Sequence, residues 1–162
     1  MRHDRGFTLV ELMIVVAVIG IIAAIALPQL IRSRMSGNEA AAIAALRTIT
    51  SAETQFQTSG FTDADGDNVG DYGPLNGAAS LANPAPGTAP FIDEVLATGT
   101  KSGYTFVIAV DNAGDGDEAY TCVARPVTYG RTGVRSFFLD ESGVIRYETA
   151  NVAPTVNSPP LT

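Results

Sequence analysis

Two hydrophobic patterns divide the chain. From Phe7 to Leu27 every position is apolar or small except Thr8 and Glu11. As a helix rising about 1.5 Å per residue, this run spans about 30 Å, enough to cross a bilayer. Beyond Pro28 the pattern narrows to a stripe. Met35, Ala42, Ala45, Leu46, Ile49, Ala52 and Phe56 recur at helical spacing, with Arg47, Thr48, Ser51 and Gln55 mostly opposite. One helix is therefore expected to run through both halves. A kink is expected at Pro28, which lacks a backbone donor and clashes with the carbonyl of Ala24. Gly37-Asn38 is its weakest local point.

After Thr58 the chain turns to Asp, Gly, Pro and small residues, a long connection. "PFIDEVLATG", Pro90 to Gly99, predicts a short helix with proline in its first turn and glycine at its end. Strand signals follow. Alternation puts Tyr104, Phe106, Ile108 and Val110 on one face of a first strand, and Tyr120, Cys122 and Ala124 on one face of a second. "SFFLDESGVIRYE" predicts a hairpin turning at Asp140 to Gly143, and the proline-rich tail "NVAPTVNSPPLT" predicts irregular structure. The expected fold is α+β: a long kinked N-terminal helix, membrane-spanning in its first half, with an antiparallel sheet of three to four strands packed on its second half.

Composition narrows the chemistry. The 162 residues carry a formal charge of −7, which argues against a phosphate-binding surface, so no direct nucleic-acid partner is expected. Cys122 is the only cysteine and His3 the only histidine. An intramolecular disulfide is excluded, and Ser/His/Asp, Cys/His and zinc arrangements lack their parts. Acidic residues cluster in glycine-rich stretches, where solvation leaves them untuned for acid/base work. The chain is not expected to be an enzyme. Cys122 reads as a small buried strand residue rather than a reactive thiol.

The N-terminal run has two readings. With Arg2 and Arg5 before it, and Ala24-Ile25-Ala26 as an A-x-A site, it could be a secretory signal cut after Ala26, releasing a soluble module that begins at Leu27. Glu11 opposes this, because a carboxylate inside an apolar span costs about 2.5–3.5 kcal/mol on insertion scales and is usually paired and functional. Arg2 and Arg5 favour a cytoplasmic N-terminus, a bias that Arg32 and Arg34 weaken.

Arg5-Gly6-Phe7-Thr8-Leu9-Val10-Glu11, followed by the apolar run and Pro28, resembles the processing signal of type IV pilins and type II secretion pseudopilins. The resemblance implies a leader of residues 1–6, a transmembrane and assembly helix of 7–31, and a periplasmic or extracellular pilin-like domain of 32–162. Prepilin peptidase would cut after Gly6 and methylate Phe7. Glu11 would meet the N-terminal amine of a neighbouring subunit, with Pro28 shaping the assembly helix. The implied protein is a single-pass subunit of the bacterial inner membrane. It is surrounded by lipid before assembly, then engaged by an inner-membrane assembly platform and built into a homo-oligomeric periplasmic or cell-surface filament. "GRTGVRSFFLDESGVIRY", Gly130 to Tyr147, is also similar to the closing hairpin of pilin-like proteins. Many major pilins close a C-terminal loop with a disulfide, which one cysteine cannot form; this tilts the choice toward pseudopilins or disulfide-free pilins. A membrane-anchored domain that never polymerises is a further reading, also opposed by Glu11.

One acidic stretch carries its own chemistry. In "TDADGDNVGDYG", Asp63, Asp65, Asp67 and Asp71 have the spacing at which carboxylates of a tight loop converge on a hard cation, with calcium the candidate. Asn68 stands where such loops usually have glycine, a position its tolerance of left-handed geometry can fill. The bidentate glutamate of an EF-hand is missing, Pro74 being in its place. A solvated Asp/Gly turn without an ion is the other reading. The stretch from Asp111 to Glu118 is expected to be a plain hairpin connection.

Overall fold

The computed structural model describes residues 7–64, 66, 68–111 and 119–161. It forms two compact units, one ending at Arg34 and the other comprising Met35–Thr162. Helix α1 is Leu9–Ser59, with Pro28 inside it.

In the first unit, every described residue is exposed through Arg34. Its apolar side chains cover all sides of the helix, from Leu9 and Met13 to Ile25 and Ile31. A helix that is apolar all round and unburied by its own chain needs lipid or other helices around it. By length and composition α1 is able to cross a membrane.

In the second unit the stripe is buried as its spacing requires. Ala42, Ala45, Leu46, Ile49, Ala52 and Phe56 enter the core, Met35 is half-buried, and Arg47, Thr48, Ser51 and Gln55 face outward. The stripe shares this core with Tyr104, Phe106, Tyr120, Cys122, Ala124, Phe137 and Leu139 from the sheet. Each large apolar side chain fully buried there contributes about 1.5–3 kcal/mol before entropy is counted.

The sheet has five antiparallel strands in chain order, one more than the upper expectation: β1 Thr100–Lys101, β2 Tyr104–Asp111, β3 Ala119–Pro126, β4 Ser136–Asp140 and β5 Arg146–Glu148. The extra strand, β1, has two residues, too few to show an alternation. Burial along β2 fades from Tyr104 and Phe106 to an exposed Val110. The hairpin between β4 and β5 turns where expected, with Gly143 N–H donating to Asp140 O at 2.9 Å and Gly143 at φ +72. Cys122 is fully buried in β3, between Ile108 of β2 and Leu139 of β4.

One local expectation is corrected. Helix α2 is Glu94–Ala97, capped by Asp93, whose carboxylate accepts from Leu96 N–H at 3.0 Å. Pro90 therefore precedes the helix, because the better side-chain cap lies three residues later. The proline-rich tail is irregular, as expected, and it is tied down. Tyr147 N–H donates to Pro159 O at 3.0 Å and Leu161 N–H to Ile145 O at 2.8 Å, so the segment lines the outer edge of β5. Proline lacks a donor, but its carbonyl still accepts.

Candidate functional site

Three groups of carboxylates carry the polar chemistry of the molecule. The first opens α1. Glu11 Oε2 accepts from Thr8 N–H at 2.9 Å and from Thr8 Oγ1 at 2.8 Å, while Glu11 N–H donates back to Thr8 Oγ1 at 3.2 Å. This is a reciprocal capping box, in which side chains satisfy donors that the first turn leaves unpaired. Glu11 also lies where the helix dipole favours negative charge. Thr8, a polar interruption of the apolar run, supplies the box, and T-x-x-E ahead of such a run is its signature. Phe7 is highly exposed beside this turn, and Gly6 lies outside the described residues.

The second group is the acidic loop. Asp63 Oδ1 accepts from Gly66 N–H at 2.7 Å and Oδ2 from Asn68 N–H at 3.2 Å. Gly66 and Asn68 are left-handed, at φ +80 and +70, the geometry anticipated for Asn68. Asp71 Oδ2 accepts from Ala64 N–H at 3.1 Å, and Asp71 N–H donates to Thr62 O at 3.0 Å, closing the loop. Asp71 is buried, and its Oδ1 has no hydrogen-bond partner among the described residues. Asp65 and Asp67 lie outside the described residues, among which no three metal-ligating side chains come together. Of the stretch from Asp111 to Glu118, only Asp111 is described.

The third group corrects the expectation that acidic residues are solvated: Glu39 and Glu53 are buried within the apolar stripe of α1. Glu39 accepts from Val134 N–H at 2.9 Å, Arg135 N–H at 3.2 Å and Arg135 Nε at 2.8 Å. Beside it, Asn38 Nδ2 donates to Thr132 O at 2.9 Å. Together they fasten the β3–β4 connection to α1. The same connection passes so close to the core that a Cβ on Gly133 would stand 2.1 Å from the Tyr104 hydroxyl, which donates to Arg135 O at 2.8 Å.

Among the described residues Glu53 accepts from Gly73 N–H, at 3.0 Å on Oε2, and Oε1 has no partner. Burial pushes its carboxyl up from 4.5 to about 7. The folded state therefore holds this proton more tightly than the unfolded one. Stability on this account is highest below about pH 4.5, falls as pH rises toward about 7, and is level above that. Glu53→Gln copies the protonated form. It is expected to flatten this slope and to stabilise the full chain at pH 8 by about 2 kcal/mol relative to the parent. Urea unfolding in detergent at pH 5 and pH 8 checks this; an unchanged slope in the variant would assign the pH dependence elsewhere.

Comparison with known proteins finds similarity over part of the chain. Residues 1–27 match the model of the prokaryotic N-terminal methylation motif. The type IV major pilin protein PilA of Myxococcus xanthus is 46% identical over 54 residues, covering 33% of this chain and 24% of that protein. The type IV wide pilus major component PilA4 of Thermus thermophilus is 39% identical over 57 residues, covering 35% of this chain and 44% of its own length. A fimbrial protein of Moraxella nonliquefaciens is 42% identical over 98 residues, covering 55% of this chain and 61% of that protein. The chain thus spans less than two thirds of the length of these relatives. No solved structure matches it significantly.

Proposed function

We propose that this chain, whose N-terminal segment is that of the type IV pilin family, is a structural subunit of a type IV pilus. Prepilin peptidase removes the leader after Gly6 and methylates Phe7, the apolar helix holds the subunit in the inner membrane with its N-terminus in the cytoplasm, and an assembly platform then lifts it into a helical filament. The observation that carries this reading is the first unit itself: an all-round apolar, exposed helix that opens on a carboxylate. Lipid satisfies such a surface before assembly, and the same helices of neighbouring subunits satisfy it afterwards. The role is mechanical rather than enzymatic.

A pseudopilus subunit of a type II secretion system is the second reading, supported by the single buried cysteine, which leaves the chain without an intramolecular disulfide. The mass of the N-terminal peptide of protein made in its own host tests the processing that both share. A chain beginning with methylated Phe7 is expected. A chain beginning at Leu27 would instead make the product a secreted soluble module and remove Glu11 from it.

A further inference from the structure

We propose that Glu53 is a proton-operated latch: protonated, it holds residues 71–73 against α1, and ionised, it releases them while the rest of the Met35–Thr162 unit stays folded. The carboxyl is fully buried within the apolar stripe of α1. Gly73 N–H reaches Oε2 at 3.0 Å, and Oε1 has no partner among the described residues. Neither ion pair of the described residues involves it, since Lys101 pairs with Asp93 and Arg135 with Glu39. The titratable groups around it are Tyr120 and Cys122 of β3, and Tyr72, whose ring lies 4.8 Å from that of Tyr120. Burial raises the Tyr120 hydroxyl and the Cys122 thiol to about 12, and the Glu53 charge adds to both, so these groups stay neutral while Glu53 ionises. One neutral donor and no cation do not offset the removal of a charge from water.

When that carboxyl ionises, the cheapest wall to move is the connection. Helix α1 and β3 are held by continuous backbone ladders, whereas residues 70–73 lie on α1 through glycine backbone. A Cβ on Gly73 would stand 3.1 Å from the Phe56 ring, and one on Gly70 would stand 2.0 Å from the Gln57 carbonyl oxygen. The Asp71 bonds stay within the connection, from its N–H to Thr62 O and from Ala64 N–H to its Oδ2. Lifting residues 71–73 breaks the Gly73 bond and admits water to the carboxyl at less cost than unfolding the sheet. The Gly73 bond favours the ionised form, but burial outweighs it and raises the carboxyl to about 7. The latch is therefore tightest below about pH 4.5, loosens as pH rises toward about 7, and changes no further above that. The slope in global stability is a separate consequence of the same group: the charge acts first on the smallest opening that wets it.

Hydrogen–deuterium exchange of the full-length chain in detergent, read from pH 5 to pH 8 and corrected for intrinsic exchange, tests the latch. Opening at Tyr72 and Gly73 is expected to be about tenfold or more favourable at pH 8 than at pH 5. At pH 8 these amides are also expected to exchange about tenfold or more faster than those of β4, which open with the whole unit. Glu53→Gln is expected to remove the pH dependence, and Asp71→Asn, at the neighbouring buried carboxylate, to keep it. A smaller rise with pH or a smaller gap from β4 in the parent chain overturns the proposal. So does a rise that persists in Glu53→Gln or disappears in Asp71→Asn. Should either variant fail to fold, the two comparisons within the parent chain, across pH and against β4, carry the test.

Discussion

Glu11→Ala is expected to leave membrane insertion and leader removal intact and to lower filament yield by about tenfold or more, the scale of losing a charge pair formed in lipid. Yield is read as sheared surface filaments against total membrane-bound subunit, with the N-terminal mass confirming processing. The capping box makes the alanine variant ambiguous on its own, because it removes both a helix cap and a charge. Glu11→Gln separates them. Glutamine at this position still reaches back to Thr8 N–H and keeps the cap, worth about 1 kcal/mol, but offers no charge to a neighbour's amine. If the pairing with an ammonium drives assembly, Glu11→Gln fails as Glu11→Ala does. If filaments return with glutamine, the carboxylate serves its own helix and the docking role is lost. Both hydrogen bonds within the chain fall on Oε2, so Oε1 is positioned to accept from a second subunit without breaking the cap.

Glu39→Ala is expected to destabilise the Met35–Thr162 unit by about 3 kcal/mol. The substitution leaves Val134 and Arg135 N–H groups without their acceptor, each costing about 1–3 kcal/mol where burial keeps water out. It also strips Arg135 of its counter-ion, a smaller loss because that side chain is about one third exposed. Glu39→Gln keeps an acceptor and is expected to lose less than half as much. Urea unfolding of the full chain in detergent, followed by near-ultraviolet circular dichroism from its tyrosines, measures both. Equal, small losses in the two variants would show that water replaces the carboxylate and that the clamp is decorative. Asn38→Ala should add little beyond its one bond to Thr132.

These two glutamates show what was legible in the chain and what was not. The apolar span, the stripe beyond Pro28 and the strand faces could be read because each repeats at a period set by local geometry. The β4–β5 hairpin could be read because its turn residues are local as well. Glu39 and Glu53 occupy the same buried stripe as Ala42, Ile49 and Phe56, but the groups they accept from, on Val134, Arg135 and Gly73, lie outside the helix. Pattern analysis treats such residues as interruptions, since their partners belong to connections without periodicity. The tail is irregular, as its prolines suggest, but its docking could not be read, because the partners of its Pro159 carbonyl and Leu161 N–H lie in and beside β5. At the other end the capping box is entirely local, so the pairing of Thr8 with Glu11 is legible from their spacing alone.

The position of Cys122 has a practical consequence for studying assembly. Burial in β3 pushes its thiol up to about 12, so almost no thiolate exists at neutral pH, and no reagent reaches the sulfur without unfolding the sheet. The natural chain is therefore silent toward maleimides and other thiol reagents. Cysteines introduced one at a time on exposed positions of α1 can be labelled or cross-linked in living cells against no background. Neighbour relations between subunits can thus be mapped without first removing a core residue.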